Sequence, residues 1–187
     1  MNKVLVGLSC SISLLLTACG DDKLPDEMVV DDIAAATGPS FDLLTTPVGQ
    51  VNFPNSCNAA ASPLIERGVA LMHHMMFDEA KFAFSIADDK DPNCAMAYWG
   101  QSMALIHPLW PDAVTPENYQ RGLELVRKAQ SFEGSTEREI DYFKSTEAYF
   151  SDGGTLSAQQ RYVKMSQIWD NISKKYPDDM DALAYNS

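Results

Sequence analysis

The amino-acid sequence predicts an all-α fold made of helix pairs. Apolar residues recur at intervals of three and four, which is the spacing of an amphipathic helix, and no stretch shows the alternation of a half-buried strand. Gly and Pro divide the chain after residue 60 into segments of helical length. The 187 residues are 45% apolar and 21% charged, so we expect a hydrophobic core of ordinary size.

Local start and stop signals give the order of the helices. Ser62-Pro63 combines an N-cap residue with a first-turn proline, and Pro92 and Pro177 end helices because proline cannot continue the hydrogen-bond ladder. The seven predicted helices cover, in order, about 62–76, 78–90, 94–107, 115–131, 135–150, 156–176 and 180–185. Successive helices are joined by short connections, which favours helical hairpins.

The first predicted hairpin resembles a known repeat. Small residues lie where its two helices would touch, an aromatic residue fills the gap between them, and a proline makes the turn to the next unit. The residues that carry the resemblance are Leu64, Gly68, Leu71, Ala80, Phe84, Ala87 and Pro92. Their intervals are those of the tetratricopeptide repeat, a helix pair of about 34 residues. The resemblance is strong for residues 61–94 and implies tetratricopeptide-like helical hairpins stacked as a short solenoid.

Two short strings extend this resemblance. Residues 91–100 (DPNCAMAYWG) and 107–110 (HPLW) resemble a largely uncharacterised group of secreted bacterial proteins built on the same repeat. The similarity covers about residues 51–110, and it implies a fold and a compartment without implying a reaction. Beyond it, the connection over 108–116 is longer than the turn of the repeat family, so the array departs from its consensus there.

The N-terminal segment has the features of a secretion signal. Lys3 precedes a mostly apolar run that closes on residues 16–19, Leu-Thr-Ala-Cys. These four residues resemble the bacterial lipobox, which implies cleavage before Cys19 and lipid attachment to that cysteine. The alternative is an ordinary secretion signal. The resemblance implies a protein anchored by lipid to a membrane of the bacterial cell envelope, either periplasmic or surface-exposed, rather than one that spans the bilayer.

The chain therefore divides into three predicted parts. Residues 1–18 form a lipoprotein signal peptide, residues 19–50 form an acidic, proline-containing tether, and residues 51–187 form the tetratricopeptide-like helical domain. A repeat array usually needs a closing helix with a polar outer face, and the last predicted helix begins only just before the end of the sequence. We therefore expect the chain to be truncated at its C-terminal end; the alternative is a frayed last turn. One alternative function follows, that the chain is the N-terminal part of a larger protein with another activity.

The four cysteines fit an oxidising compartment. Cys10 lies in the signal peptide and Cys19 is assigned to lipid, which leaves Cys57 and Cys94 as the remaining pair. We predict that these two form a disulfide bond. The alternative is a pair of buried free thiols, because the sequence does not show whether their Cα atoms come within reach.

Charge and motif content exclude two classes of function. The chain has 14 Lys and Arg against 26 Asp and Glu, a formal net charge of −12, and no basic cluster, which argues against nucleic acid as a partner. It has no glycine-rich phosphate loop, HExxH, CxxC or GxSxG motif. The sequence therefore predicts a protein that is not an enzyme and needs no cofactor.

Two apolar stripes identify the face that could bind a partner. In the first predicted helix the stripe is Ile65, Val69, Met72, His73 and Met76, and in the third it is Met96, Trp99, Met103, Ile106 and His107. In the repeat family, the first helix of each pair lines a concave face. The resemblance therefore implies a groove for a protein or peptide partner. The expected ligand-contact residues are Met72, His73, Met96, Trp99, Met103 and His107.

Copper binding is the alternative for the same face. His73 and His107 are one repeat length apart, so we expect them at equivalent places on neighbouring helices. Imidazole and the thioethers of nearby methionines are suitable copper ligands in an extracytoplasmic compartment. A third interpretation is plain packing, since methionines at helical spacing commonly fill gaps in a core.

Overall fold

The computed structural model describes residues 42–108 and 114–186. Within these residues the chain forms seven helices and no strand, so the predicted all-α class is confirmed. The helices are α1 (Ser62–His73), α2 (Phe77–Lys90), α3 (Ala95–Met103), α4 (Pro116–Gln130), α5 (Glu137–Phe150), α6 (Ala158–Lys175) and α7 (Met180–Tyr185). None of these described helices combines the length and the hydropathy needed to pass through a lipid bilayer.

Most helix boundaries follow the predicted signals, with one difference at a start and two early ends. Ser62, predicted as the N-cap of α1, is instead its first helical residue, and no side chain caps this helix. The sequence predicts α1 through Met76, but the helix ends at His73 because Met75 has a left-handed backbone with φ 60°. The sequence predicts α3 through His107, but the helix ends at Met103. The amides of Leu105 and Ile106 donate to carbonyls three residues earlier in the chain instead of four. Both early helix ends fall at the same end of the molecule, where the candidate site lies.

Helices that follow each other in the chain pack as pairs. α1 packs on α2, α3 on α4 and α5 on α6, while α2–α3 and α4–α5 contacts join one pair to the next. α1, α3 and α5 also touch in series, and α7 packs on α6. This order of contacts is compatible with stacked hairpins. The finer arrangement, a tetratricopeptide-like solenoid, stays a prediction.

Two buried phenylalanines set the distance between helices. Phe84 of α2 lies between Gly68 of α1 and Gly100 of α3, and a Cβ atom on Gly68 would be 2.5 Å from the Phe84 ring. Phe150 of α5 lies against Gly122 of α4 in the same way, again with 2.5 Å to a Cβ atom on the glycine. The helix backbones approach this closely because the glycines carry no side chain.

The residues that carry the repeat resemblance lie in the places that packing requires. In the interior, Gly68, Leu71, Ala80, Phe84 and Ala87 are buried. Leu64 is half-buried against the core, and Pro92 is exposed in the turn between α2 and α3. The set therefore contributes to contact between α1 and α2 and to the exit from α2.

A buried glutamate joins the segment before α1 to α5. One carboxylate oxygen of Glu139 accepts hydrogen bonds from the Ser56 amide at 2.7 Å and the Ser56 hydroxyl at 3.0 Å. The other oxygen accepts from the Thr136 amide at 2.7 Å, and Thr136 in turn caps the start of α5 through its side chain. Glu139 has no exposed surface, so these three donors offset the cost of burying its charge.

The segment before α1 is fastened by further contacts. Arg67 of α1 donates to the backbone carbonyls of Leu43 and Thr46, and His74 Nε2 lies 3.0 Å from the Val48 carbonyl oxygen. Residues 42–50, which the sequence assigns to the end of the tether, thus contact α1. Cys19, the predicted site of lipid attachment, lies outside the described residues.

Cys57 and Cys94 form the predicted disulfide bond, with their Cα atoms 4.7 Å apart. The bond spans 37 residues and encloses α1 and α2. Closing a loop of that length stabilises a fold by about 4 kcal/mol on the chain-entropy model. Because Cys94 directly precedes α3, the bond ties the segment before α1 to the start of the second helix pair.

We expect Gly122→Ala to lower the free energy of unfolding by about 1–3 kcal/mol, because its Cβ atom would overlap the buried Phe150 ring. In an ordinary helix interior the same change raises stability by about 0.5–1 kcal/mol. Urea denaturation followed by far-UV circular dichroism measures the difference. Gln120→Ala, at an exposed position of the same helix, is the control and should change stability by less than about 0.5 kcal/mol. A stabilised Gly122→Ala variant would contradict the close approach.

Candidate functional site

The face predicted to form a groove is covered by Phe53, from the segment before α1, and by Tyr185 of α7. Phe53 stacks on the indole of Trp99, with ring centroids 5.7 Å apart and an interplanar angle of 13°. Tyr142 of α5 and Tyr185 of α7 approach the same indole edge-on, at 5.4 and 6.4 Å. The indole Nε1–H donates to Thr146 Oγ1 at 3.0 Å. Trp99 is therefore a core residue with its polar atom satisfied.

The structure corrects the expectation that Met96 and Trp99 contact a ligand. Both side chains have no exposed surface. The apolar stripe on α3 lies on one face of the helix, as its spacing indicates. Phe53 and Tyr185 pack on Trp99 and cover that face. Apolar residues on both sides of α3 thus reflect a helix that is buried twice.

Two polar side-chain contacts hold α7 in this position. His73 Nε2 of α1 lies 2.8 Å from Asp181 Oδ1, and Arg138 Nε of α5 lies 2.5 Å from Asp179 Oδ2. The Tyr142 hydroxyl also donates to the Asp179 carboxylate, at 2.8 Å. Burial raises the pKa of Asp179, but hydrogen bonds from Arg138, a backbone amide of α7 and Tyr142 outweigh burial and bring the pKa below its usual value. α7 is therefore tied to both α1 and α5.

An apolar cleft lies beside the covered face, between α1, α3, α6 and α7. Its volume is about 520 Å³, within the size range of ligand pockets. We call it the methionine cleft, because four methionines contribute to its wall. The lining residues are Met72, His73, Met75, Phe77, Met103, Ile106, Pro108, Tyr162, Met165, Ser166, Trp169, Ala184, Tyr185 and Asn186. This cleft is the candidate functional site.

Met75 extends from a strained backbone at the edge of the methionine cleft. Among the described non-glycine residues it alone has a positive φ. The Met76 amide donates to the Leu71 carbonyl at 3.0 Å, the bond that closes a helix end at which glycine usually takes the left-handed position. A residue with a side chain is less stable there by roughly 1–2 kcal/mol. The Met75 side chain is 46% exposed.

Three of the six expected ligand-contact residues line the methionine cleft: Met72, His73 and Met103. His107 stacks on Phe77, with ring centroids 4.5 Å apart, and its Nε2 lies 3.2 Å from a backbone carbonyl oxygen of the preceding turn. The two histidines that the sequence pairs for copper thus have different partners, since His73 contacts Asp181. Within residues 42–108 and 114–186, no three His, Cys, Asp or Glu side chains are grouped as a metal site requires.

Sequence reasoning missed the far wall of the cleft. Met165 and Trp169 are one turn apart on α6, so their shared face is visible in the sequence. Nothing local shows that this face lies opposite α1. The sequence does not point to Tyr185, because α7 resembles the start of an unfinished helix.

We expect Asp179→Asn to lower the free energy of unfolding by about 3 kcal/mol at pH 7, because it leaves the buried Arg138 without its partner. Asparagine is also a good N-cap, so the start of α7 is retained. The difference from the unmodified protein should shrink below about pH 4. Because the pKa of Asp179 is lowered in the folded protein, its carboxylate stabilises the fold fully at pH values above its ordinary pKa. That stabilisation is lost as the pH falls through the lower pKa of the folded state.

Urea denaturation at pH 7 and at about pH 2.5 measures this dependence. Asp178→Asn is the matched control, since Asp178 precedes Asp179 and is exposed. A stability difference that is the same at both pH values would contradict the role of the Asp179 charge.

Comparisons with models of known protein families, with curated proteins and with solved structures found no match. The likeness to the tetratricopeptide repeat therefore rests on the spacing of residues 61–94 in the sequence. A function for this chain has to be argued from the chemistry of the methionine cleft and its surroundings.

Proposed function

We propose that this protein is a lipid-anchored binding module of the bacterial cell envelope that holds an apolar segment of a protein or peptide partner in the methionine cleft. Met75 is the observation that carries the proposal. It keeps a thioether at the edge of the cleft, in a backbone conformation that glycine would take without strain. The turn after α1 needs a left-handed backbone but no side chain at this position, so the strain at Met75 is a pointer to function.

The composition of the cleft wall supports an apolar ligand. Methionine side chains are flexible and polarizable, so a wall that contains four of them can adapt to several apolar shapes. The described lining residues include no Lys, Arg, Asp or Glu. Asp179 and Asp181, at the start of α7, already have partners in Arg138 and His73, so these carboxylates do not require a charged ligand.

We expect Met75→Gly to weaken peptide binding without lowering stability. Glycine relieves the left-handed strain, so the free energy of unfolding should stay the same or rise by about 1 kcal/mol. The loss of a half-exposed thioether should weaken binding about fivefold. The probe is a fluorescent peptide chosen from a phage-displayed random library against the immobilised protein, and anisotropy titration gives the dissociation constant.

Met180→Ala is the matched control for Met75→Gly. Met180 is more exposed than Met75, at 72%, and lies outside the methionine cleft, so its removal should leave peptide affinity unchanged. Selection of no peptide would remove the proposed function. Equal affinity for the unmodified protein and Met75→Gly would place the peptide elsewhere.

The lipid anchor is a separate part of the proposal and rests on residues 16–19. We expect cells supplied with an alkyne fatty acid to label the protein, and Cys19→Ser to abolish the label. Cys10→Ser is the matched control, because Cys10 lies within the predicted signal and should leave labelling intact. Labelling is read after coupling to a fluorescent azide and gel electrophoresis. Persistent label on Cys19→Ser would contradict the lipobox assignment.

A further inference from the structure

Two hydrogen-bonding groups in the wall of the methionine cleft have no partner in the described part of the chain. Trp169 of α6 has no exposed surface, and its Nε1–H donates to none of the described atoms. The Tyr185 hydroxyl of α7 is buried and also lacks a partner there. Both residues line the cleft, and their ring centroids are 5.0 Å apart.

Three other buried polar atoms in the described chain also lack a hydrogen-bond partner, Gln101 Nε2, Ser135 Oγ and Arg161 Nε, but they belong to residues that do not line the methionine cleft. Buried indole and phenol groups away from the cleft do have partners. Trp99 Nε1–H donates to Thr146 Oγ1, and the Tyr119 hydroxyl donates to the Tyr149 carbonyl at 2.7 Å. The Tyr142 hydroxyl donates to Asp179. A buried donor without an acceptor costs roughly 1–3 kcal/mol, so unpaired donors collected at one cleft indicate a place for an acceptor from outside.

The charges around these donors favour an uncharged acceptor. The charges of Asp181 and Asp179 act on Tyr185, and both carboxylates already have a partner: Asp181 contacts His73, and Asp179 pairs with Arg138. Burial raises the pKa of Tyr185, and the two carboxylates raise it further, so the hydroxyl keeps its proton and remains a donor. A negatively charged ligand would lose its hydration in an apolar cleft and meet no free cation in the wall.

Resting on the proposed function, we infer that the methionine cleft recognises an uncharged carbonyl group within the apolar segment of its partner, through hydrogen bonds from Trp169 Nε1–H and the Tyr185 hydroxyl. A main-chain amide of a peptide supplies this chemistry, because its oxygen has two lone pairs and no charge. The apolar wall of the cleft contacts the apolar side chains of the partner, and the two donors bind the main-chain carbonyl that lies between those side chains.

Tyr185→Phe tests the inference, because it removes the hydroxyl and keeps the ring. The probe is prodan, an uncharged naphthalene that carries one ketone, titrated by its fluorescence. We expect its dissociation constant to rise about threefold to tenfold in Tyr185→Phe. The melting temperature should not fall, since the lost hydroxyl has no partner in the described fold. Tyr176→Phe is the matched control, because its hydroxyl contacts Asp141 away from the cleft.

A charged probe of similar size tests the preference for an uncharged acceptor. We expect 1-anilinonaphthalene-8-sulfonate to bind more weakly than prodan and to be insensitive to Tyr185→Phe. Equal prodan affinity in the unmodified protein and Tyr185→Phe, or tighter Tyr185-dependent binding of the sulfonate, would overturn the inference.

The inference and the proposed function can fail separately. If peptides bind and respond to Met75→Gly while Tyr185→Phe changes neither prodan nor peptide affinity, the proposed function stands without the carbonyl contact. If prodan binding depends on Tyr185 but no peptide is selected, the carbonyl contact stands and the peptide function fails.

Discussion

The indole of Trp99 brings together parts of the chain that are distant in sequence. It contacts the segment before α1 through Phe53, α2 through Phe84, α5 through Tyr142 and α7 through Tyr185. Aromatic pairs in these offset and edge-on arrangements add to the stabilisation that burial alone provides. Because one ring is shared in this way, the helix pairs form a single core. The candidate site therefore lies in the cleft beside the covered face.

Much of the fold could be predicted because its signals are local. N-caps and prolines give helix boundaries without reference to the rest of the chain, and the spacing of Gly68 and Phe84 reflects a contact within one hairpin. The early end of α1 could not be predicted, since Met75 occupies a position that normally calls for glycine. Local rules fail there because the backbone conformation is held by the surrounding packing and not by the preference of the residue itself.

The candidate site could be predicted only in part. Met72, His73 and Met103 were found because α1 and α3 show their apolar stripes directly. Met96 and Trp99 carry the same pattern but lie in the core, because periodicity gives the direction of a face and not what covers it. The covering residues, Phe53 and Tyr185, come from opposite ends of the described chain, so their positions depend on long-range contacts that no sequence window contains.

The disulfide bond also determines how the domain would respond to mechanical tension. A pull from the N-terminal side first reaches the contacts of residues 42–56 and then Cys57. From there the covalent bond transmits the force directly to Cys94 at the start of α3. α1 and α2 lie within the bypassed loop and carry none of the tension along their own backbone. Tension applied from the N-terminal side can therefore stretch the domain without unfolding the α1–α2 hairpin.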